Sequence, residues 1–356
     1  MKKWIRRPSF REILQISGGI LCLLIFAGIS LGEGLTQNRL YDQQLAERWS
    51  GEEDAAQISC FFAAEEIEGT DYFTGLGRTM DKKLVEASLS TKTEGARLRL
   101  DAASLPGKIT ISYGNKNVEL EALGVWGDFF QFHPLTLLDG AYFGPDSMMQ
   151  DGIVIDEEAA WQLFGSNDVA GMQVMIGQVP HFISGVVRRD TGRIAEAAGL
   201  DKSICYLSLE SLNKYGTITG GYCYETVMPN PVKGFALSTL TEAVEAEKKE
   251  VKILENTSRF TLPELAERLL EFGTRSMSRQ RIVYPYWENI ARGYEDIFTL
   301  TLVLKFLFLL YPGIFLLGLI VRLWRKKTWT VGKGYRYLQD KVYDLQVKLD
   351  QKRGKK

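Results

Sequence analysis

The spacing of hydrophobic positions changes repeatedly along this chain, and each change predicts a new element of secondary structure. Residues 152–156 form a short apolar run that ends in a carboxylate, and residues 157–164 carry apolar side chains at helical spacing. Two β-rich runs follow at 172–176 and 182–187, joined through a glycine-containing turn at 177–178. This stretch therefore predicts a strand, a short helix and a hairpin.

Similar short elements alternate through the rest of residues 33–296. The patterns predict strands at 57–63, 108–113, 118–125, 204–207, 222–228 and 251–254. They predict helices at 33–49, 72–89, 235–250 and 261–272. Because strands and helices alternate, we predict an α/β or α+β domain of mixed sheets and helices, with a candidate boundary between two subdomains near 190–205.

Two long apolar runs, residues 13–32 and 297–323, flank this domain. At about 1.5 Å per residue the second run reaches ~40 Å, which exceeds the ~30 Å hydrocarbon core of a bilayer. Both are therefore predicted transmembrane helices. The first could instead belong to a cleaved signal peptide, but no A-x-A site follows it, so we predict an uncleaved anchor.

The net charge of −1 conceals a strong asymmetry between the ends of the chain and its middle. Residues 1–12 contain five basic residues and one acidic residue, and residues 322–356 contain twelve basic and three acidic residues. Between these ends, leaving Lys305 aside, the chain carries about −15. The positive-inside rule then predicts a cell-membrane protein whose basic N-terminus (1–12) and tail (324–356) are cytoplasmic and whose domain 33–296 is extracytoplasmic.

Candidate catalytic chemistry is sparse in this sequence. Its two histidines, His133 and His181, have no carboxylate or cysteine nearby at the spacing of metal ligands, which favours structural or surface roles. The carboxylates at 156–158 open a predicted helix, where negative charge complements the helix dipole. Neither a nucleophile motif nor a Walker A motif occurs. We therefore predict no enzyme, no cofactor and no metal, and we expect no nucleic-acid partner.

Partner contacts are more plausible than catalysis at two places in the chain. Lys305 lies about 12 Å into the second apolar run, where it either snorkels to the outer headgroups or contacts another membrane subunit. In the basic, amphipathic tail, apolar side chains follow a heptad-like seam. That seam favours docking on a cytoplasmic partner, a short coiled coil or the anionic inner leaflet. Its candidate contact residues are Leu338, Val342, Leu345 and Leu349.

Of the four cysteines, Cys22 lies inside the first apolar run, and Cys60, Cys205 and Cys223 fall in the predicted outside domain. An odd number of cysteines cannot all pair with one another. Cys205 and Cys223 are candidates for a disulfide, and buried free thiols on strands are the alternative.

The sequence YFGPDSMMQDGIVIDEEAAWQLFGSNDVAGMQVMIGQVPHFISGVV (142–187) closely resembles the extracytoplasmic core domain of MacB-type ABC transporter permeases. Its features are an aromatic residue, Phe and Asp, then V-I-D-E-x-x-A-x-x-L-F-G, V-x-I-x-G and a closing G-V-V. The upstream segment 124–140 fits the same family, and segments 224–236 and 284–296 fit it less specifically. The resemblance extends over roughly residues 13–323.

This resemblance implies a permease that dimerises, pairs with a cytoplasmic ATPase and passes ATP-driven motion to an outside domain. Such permeases carry two further helices, whereas this sequence has no third apolar run after residue 323 and no ATP-binding domain. We therefore expect a truncated, two-span member. It would act with an ABC-type ATPase subunit, a second permease subunit or its own dimer, and membrane lipid. The alternative is a membrane-anchored interaction or sensor module without transport activity.

Overall fold

Strands from most of the chain join in a single sheet, seen here in a computed structural model. It describes residues 9–50, 54–64, 67, 69–91, 96–144, 149–245, 251–275, 282–325 and 339–343. The chain divides into two units, residues 33–301 and residues 1–32 with 302–356. The unit 33–301 contains the sheet and is an α/β domain of mixed topology, as the sequence predicts.

The strands of the described residues are β1 (Ala55–Phe62), β2 (Leu100–Tyr113), β3 (Lys116–Gly127), β4 (Thr136–Gly140), β5 (Gly152–Asp156), β6 (Gln173–Ile176), β7 (Val179–Arg188), β8 (Ile204–Ser208), β9 (Thr217–Ile218), β10 (Cys223–Pro229) and β11 (Val251–Glu255). The helices are α1 (Phe10–Gln37), α2 (Leu45–Ser50), α3 (Asp71–Glu86), α4 (Phe129–Phe132), α5 (Glu157–Phe164), α6 (Arg193–Ala195), α7 (Leu209–Tyr215), α8 (Phe235–Glu245), α9 (Leu262–Arg275) and α10 (Tyr286–Arg325). A 3₁₀ turn lies at Tyr41–Gln43 and a π-helical turn at Glu196–Leu200.

The order of strands across the sheet is β11-β1-β10-β2-β3-β8-β5-β7-β4. β6 pairs with β2 and β7, and β9 pairs with β2. The pairs β3–β8 and β5–β7 are parallel, and the other pairs among the described strands are antiparallel. The sheet is therefore mixed, since it contains both parallel and antiparallel pairs. The long hairpin of β2 and β3 lies in its middle, and both faces of the sheet are available for packing.

The alternation of side chains along β1 shows how the two faces are used. Ile58, Cys60 and Phe62 belong to the core on one face, which α3, α5, α7 and α8 help to form. Phe61 belongs to the core on the other face, with side chains of α2, α4 and the start of α10, including Trp287. Because successive strand residues point to opposite faces, a nearly continuous apolar run such as β1 marks a strand that is buried on both sides.

The helix predicted at 157–164 is confirmed as α5, and its ends follow from local chemistry. Asp156 is the N-cap, and its carboxylate accepts hydrogen bonds from the amides of Ala159 (2.7 Å) and Ile204 (3.1 Å). Gly165 ends the helix in a left-handed conformation (φ 76°). The predicted turn at 177–178 is also confirmed, with positive φ at both residues, as a tight β6–β7 hairpin requires.

The helix predicted at 33–49 is interrupted in the structure. α1 ends at Gln37, whose carbonyl accepts a hydrogen bond from the side-chain amide of Gln44 (2.5 Å). The side chain of Gln57 on β1 accepts from the amide of Leu45 (2.9 Å) and donates to the carbonyl of Asp42 (2.6 Å). Helical spacing was therefore a misleading guide here, because a glutamine from a distant strand satisfies the backbone groups that the break exposes.

The candidate disulfide between Cys205 and Cys223 is not formed, and all four cysteines are free thiols. Cys205 lies on β8 and Cys223 on β10, with β2 and β3 between them. Three strand spacings of about 4.8 Å separate these strands by about 14 Å, whereas a disulfide needs Cα atoms within about 7 Å. The alternative, buried thiols on strands, describes Cys60, Cys205 and Cys223.

The candidate subdomain boundary at 190–205 falls inside the unit 33–301. β7 ends at Arg188 and β8 begins at Ile204, and both strands belong to the same sheet. Residues 193–200 form the short helix α6 and the π-helical turn between them. This segment packs on α10, since Ile194 faces Gly293 and the side-chain amide of Asn289 lies 3.5 Å from the carbonyl of Ala198.

The second unit contains the apolar parts of α1 and α10. Both helices, of 28 and 40 residues, are long and apolar enough to cross a membrane. Gly18 and Gly19 leave room on α1 for the ring of Tyr311, whose hydroxyl donates to the carbonyl of Gln15 (3.2 Å). Small residues allow such close approach where helices pack within lipid.

Replacing Asp156 by alanine removes the cap of α5 and leaves the amide of Ile204 without its carboxylate acceptor. We expect the free energy of unfolding to fall by about 2–4 kcal/mol, because a lost cap costs about 1 kcal/mol and a buried unpaired donor about 1–3 kcal/mol. Chemical unfolding of the full chain in detergent, followed by circular dichroism, measures the change. Glu157→Ala is the control and should stay within about 0.5 kcal/mol. Equal losses of unfolding free energy in Asp156→Ala and Glu157→Ala would contradict the role of Asp156 as the cap of α5.

Candidate functional site

A buried arginine lies between the sheet and the first turns of α10. Arg259, in the connection from β11 to α9, has a side chain only 4% exposed. Its Nη1 and Nη2 donate to the two carboxylate oxygens of Glu288 at 2.6 and 2.8 Å, and its Nε donates to Glu295. Burial alone would lower the pKa of Arg259, but Glu288 and Glu295 outweigh it and raise that pKa above its usual value. The guanidinium is therefore held charged and fixed in orientation.

α10 presents these carboxylates because of the spacing of its charged residues. Glu288, Arg292 and Glu295 follow one another by four and three positions, which places them on one helix face. Arg292 donates to Glu288 (2.7 Å), and its guanidinium stacks on the ring of Tyr284 (3.6 Å to the centroid). Burial raises the pKa of Glu288, but Arg259 and Arg292 outweigh this effect and lower it.

A line of hydrogen bonds continues from Arg259 to the sheet. Nη1 of Arg259 lies 3.4 Å from Oδ1 of Asn256, and the side-chain Nδ2 of Asn256 donates to the hydroxyl of Ser59 on β1 (2.7 Å). That hydroxyl in turn donates to Glu225 on β10 (2.7 Å). The charged residues of α10 are thereby joined to the neighbouring strands β1 and β10 through buried side chains.

His133, directly after α4, extends the same line to the turn that follows α1. Its Nε2 contacts Glu225 (2.5 Å) and its Nδ1 contacts Asp42 (2.8 Å), so both ring nitrogens face carboxylates. The imidazole is fully buried and packs on the indole of Trp287, 4.1 Å between centroids. Burial alone would lower the pKa of His133, but Glu225 and Asp42 raise it to about 9, so the ring is an imidazolium at neutral pH.

We name these connected side chains the anchor network: Asp42, Ser59, His133, Glu225, Asn256, Arg259, Glu288, Arg292 and Glu295. It joins three parts of the fold, namely the turn after α1, the strands β1 and β10 of the sheet, and the first three turns of α10. The charged groups of the network form ion pairs with one another. Over the described ranges, no group of His, Cys, Asp or Glu side chains has the arrangement of a metal site. The network is thus suited to holding elements together and resisting their separation.

The partner-contact residues singled out from the sequence do not belong to the anchor network. Lys305 is half-buried on α10, and Val342 is exposed in a helical stretch at 339–343. Leu338, Leu345 and Leu349 lie outside the described residues. His133 was expected to have a structural or surface role, and its buried ion pairs are structural. The sequence contained one signal of the anchor network that was missed, namely the spacing of Glu288, Arg292 and Glu295. These charged residues lie at helical intervals just before an apolar run.

Comparison with known protein families now adds to this geometry. Residues 21–243 match the family described as MacB-like periplasmic core domain, which is well over half of the chain. The chain belongs to the MacB-like periplasmic core domain family. This match begins within α1 and ends in α8, so it includes Asp42, Ser59, His133 and Glu225 of the anchor network. Two apolar helices and a domain of this family fit a membrane protein with an extracytoplasmic domain.

Individual relatives in the MacB family are similar over shorter stretches. The macrolide export ATP-binding/permease protein MacB of Chromobacterium violaceum is 33% identical over 85 residues, 23% of this chain and 13% of that protein. MacB 2 of Aeromonas hydrophila subsp. hydrophila is 30% identical over 118 residues, 32% of this chain and 18% of that protein. The chain thus spans less than a fifth of the length of these relatives.

Two solved structures are also similar to the chain. The extracellular domain of the noncanonic ABC-type transporter YknZ from Gram-positive bacteria is 15% identical, with a TM-score of 0.38; the match covers 56% of this chain and 99% of that domain. The periplasmic region of MacB from Actinobacillus actinomycetemcomitans is 16% identical, with a TM-score of 0.39; the match covers 57% of this chain and 89% of that region.

Replacing Arg259 by methionine should lower the free energy of unfolding by about 3–5 kcal/mol, because Glu288 and Glu295 then lose the buried cation that they share. Chemical unfolding of the full chain in detergent measures this. The triple variant Arg259→Met, Glu288→Leu, Glu295→Leu should recover most of the loss, since the two buried carboxylates leave together with their cation and Arg292 is partly exposed to solvent. Arg268→Met, which removes a surface pair with Glu271, is the control and should cost less than about 1 kcal/mol. A triple variant no more stable than Arg259→Met would contradict this account.

The raised pKa of His133 predicts that stability depends on pH. Since the folded protein binds this proton more tightly than the unfolded chain, the stabilisation is complete below about pH 6.5 and is lost as pH rises through about 9. We expect a decline on the order of 3 kcal/mol across this window. Unfolding free energies at several pH values test it in wild type, His133→Gln and His181→Gln. The dependence of the unfolding free energy on pH should become flatter in His133→Gln and stay unchanged in His181→Gln. An unchanged pH dependence in His133→Gln would refute the raised pKa of His133.

Proposed function

We propose that this chain is the membrane subunit, a partial permease, of a MacB-type ABC transport or mechanotransmission complex. In this role it couples a cytoplasmic ATPase to its own extracytoplasmic domain. Membership of the MacB-like periplasmic core domain family and the two apolar helices support this proposal. The relatives named as ATP-binding/permease proteins supply the class of partner, an ABC-type ATPase.

The anchor network is the observation that carries the proposal. The helix that holds Glu288 and Glu295 in the network is the same helix, α10, whose later residues form the second apolar run. At about 1.5 Å per residue its 40 residues extend about 60 Å, twice the ~30 Å hydrocarbon core. A displacement of its first turns must move the sheet or break buried ion pairs at a cost of about 3–5 kcal/mol. In this proposal, motion of the first turns of α10 is therefore passed to the sheet.

The proposed topology has the basic N-terminus 1–12 and the tail 324–356 in the cytoplasm, with residues 33–296 outside. The tail would dock on the ATPase through the apolar seam of Leu338, Val342, Leu345 and Leu349. Lys305 would contact a second permease subunit or a second copy of this chain, because an ionisable group within an apolar span favours a partner. Membrane lipid surrounds the two spans in this arrangement.

The test is affinity purification from native membranes in mild detergent, with ATP hydrolysis assayed in the eluate. Three forms are compared: the intact chain, a form lacking residues 328–356, and a form whose tail is scrambled with its basic charge kept. We expect an ABC-type ATPase to co-purify with the intact chain and to be lost from both altered forms. Docking needs the positions of the apolar side chains, whereas attraction to anionic lipid needs only the charge.

Either of two other outcomes would count against the proposal. Clean recovery of the intact chain without an ATPase would favour the membrane-anchored interaction or sensor module without transport. Retention of the ATPase by the scrambled tail would show that the seam of Leu338 and its neighbours is not the docking element. Membrane insertion of all three forms, checked by extraction with carbonate, excludes a trivial loss of the protein.

A further inference from the structure

A cavity of about 470 Å³ lies within the 33–301 unit, lined in part by the turn after α1, β7 and the first residue of α10. Its volume is in the range of small-molecule sites, which are about 300–1,000 Å³. Part of the wall is apolar, formed by Leu135, Val187, Leu200 and Ile204. The described residues that bond to Arg259 do not line this cavity, so the cavity is separate from the centre of the anchor network.

Four arginines also line this cavity, and two of them are not engaged elsewhere. Arg48 donates to backbone carbonyls, and Arg189 pairs with Asp156 and Glu158. Arg39 and Arg188 are exposed and make no side-chain hydrogen bond or ion pair with any described residue. The cavity therefore carries two guanidinium groups whose donors are available to a ligand.

Two tyrosines, Tyr206 and Tyr286, line the same space. Nη1 of Arg189 is buried beside Oδ2 of Asp156 (3.4 Å), so this arginine belongs to the wall and its Nη1 is not counted among the donors to a ligand. The hydroxyls of Tyr206 and Tyr286 lie 3.1 Å apart, and a pair of hydroxyls uses only one of its two hydrogens for the bond between them. The second hydrogen can be donated to a ligand oxygen.

The acidic residues of the cavity do not neutralise these donors. Asp156 is fully buried, and its carboxylate already accepts from the amides of Ala159 and Ile204. Asp190 is the other acidic residue in the lining, against four arginines. A net positive lining with unused N–H and O–H donors is selective for an anion.

We propose that this cavity binds a phosphate monoester that is attached to an apolar group. The two unengaged guanidinium groups and a tyrosine hydroxyl fit a phosphate monoester, which presents three oxygens and up to two negative charges, better than a carboxylate, which presents two oxygens and one charge. The apolar wall at Leu135, Val187 and Leu200 accommodates the hydrocarbon part. The ligand is a lipid or a soluble phosphoester, and this site is independent of coupling to an ATPase.

Calorimetric titration of the full chain in dodecyl maltoside tests the proposal with three probes. These are dioctanoyl phosphatidic acid, dioctanoyl phosphatidylcholine with the same tails, and glycerol 3-phosphate without tails. We expect saturable binding of the phosphatidic acid and weaker binding of the phosphatidylcholine. The double variant Arg39→Gln, Arg188→Gln should weaken phosphatidic acid binding by at least about tenfold, because it removes two charge-assisted donors. If glycerol 3-phosphate binds as tightly as the phosphatidic acid, the ligand of the cavity is a soluble phosphoester. If glycerol 3-phosphate binds more weakly than the phosphatidic acid, the ligand is a lipid.

A matched control separates the site from general attraction to positive charge. The variant Arg78→Gln, Lys82→Gln removes two exposed cations from α3, which does not line the cavity, and it should bind like wild type. No saturable binding, equal binding of both dioctanoyl lipids, or equal weakening in the two double variants would each overturn the proposal. Melting temperatures establish that the variants fold, and Arg188→Gln alone replaces the double variant if that one unfolds.

Discussion

The burial of Arg259 against Glu288 and Glu295 is the interaction on which the attachment of α10 to the sheet depends. A guanidinium in a protein interior is tolerated only when its donors are matched by acceptors, because the loss of hydration is otherwise uncompensated. Here the two carboxylates come from one helix and the arginine from the connection between β11 and α9. These elements therefore keep one relative arrangement, and any other leaves charges buried without partners.

The same requirement spreads from Arg259 through the neighbouring elements. Glu225 needs a cation as well as the hydroxyl of Ser59, and His133 supplies it while also pairing with Asp42. Trp287 packs against the imidazole, so an apolar contact and an ionic one secure the same turn of α10. Since groups in one hydrogen-bond network depend on one another, the turn after α1, the sheet and the first turns of α10 are energetically coupled.

The sequence predicted those parts of the fold whose determinants are local. α5 follows from Asp156, from its apolar spacing and from Gly165, and the β6–β7 hairpin follows from its turn residues. The family was also recognisable from residues 142–187, and the match over 21–243 confirms it. The break after Gln37 was missed because Gln57, twenty residues away, satisfies the exposed backbone. The anchor network was missed for the same reason, since Asp42, His133, Glu225 and Arg259 are brought together only by the tertiary fold.

The three sheet cysteines have a consequence for how this domain matures. Burial raises the pKa of Cys60, Cys205 and Cys223, so very little of the reactive thiolate forms at neutral pH. Cys60 and Cys223 sit on adjacent strands but contribute to opposite faces of the sheet, which keeps their sulfur atoms from reacting with each other. Oxidants and thiol-exchange enzymes therefore have little access to these three thiols in the folded domain. Because none of them is paired, a reducing compartment has no disulfide among these cysteines to break.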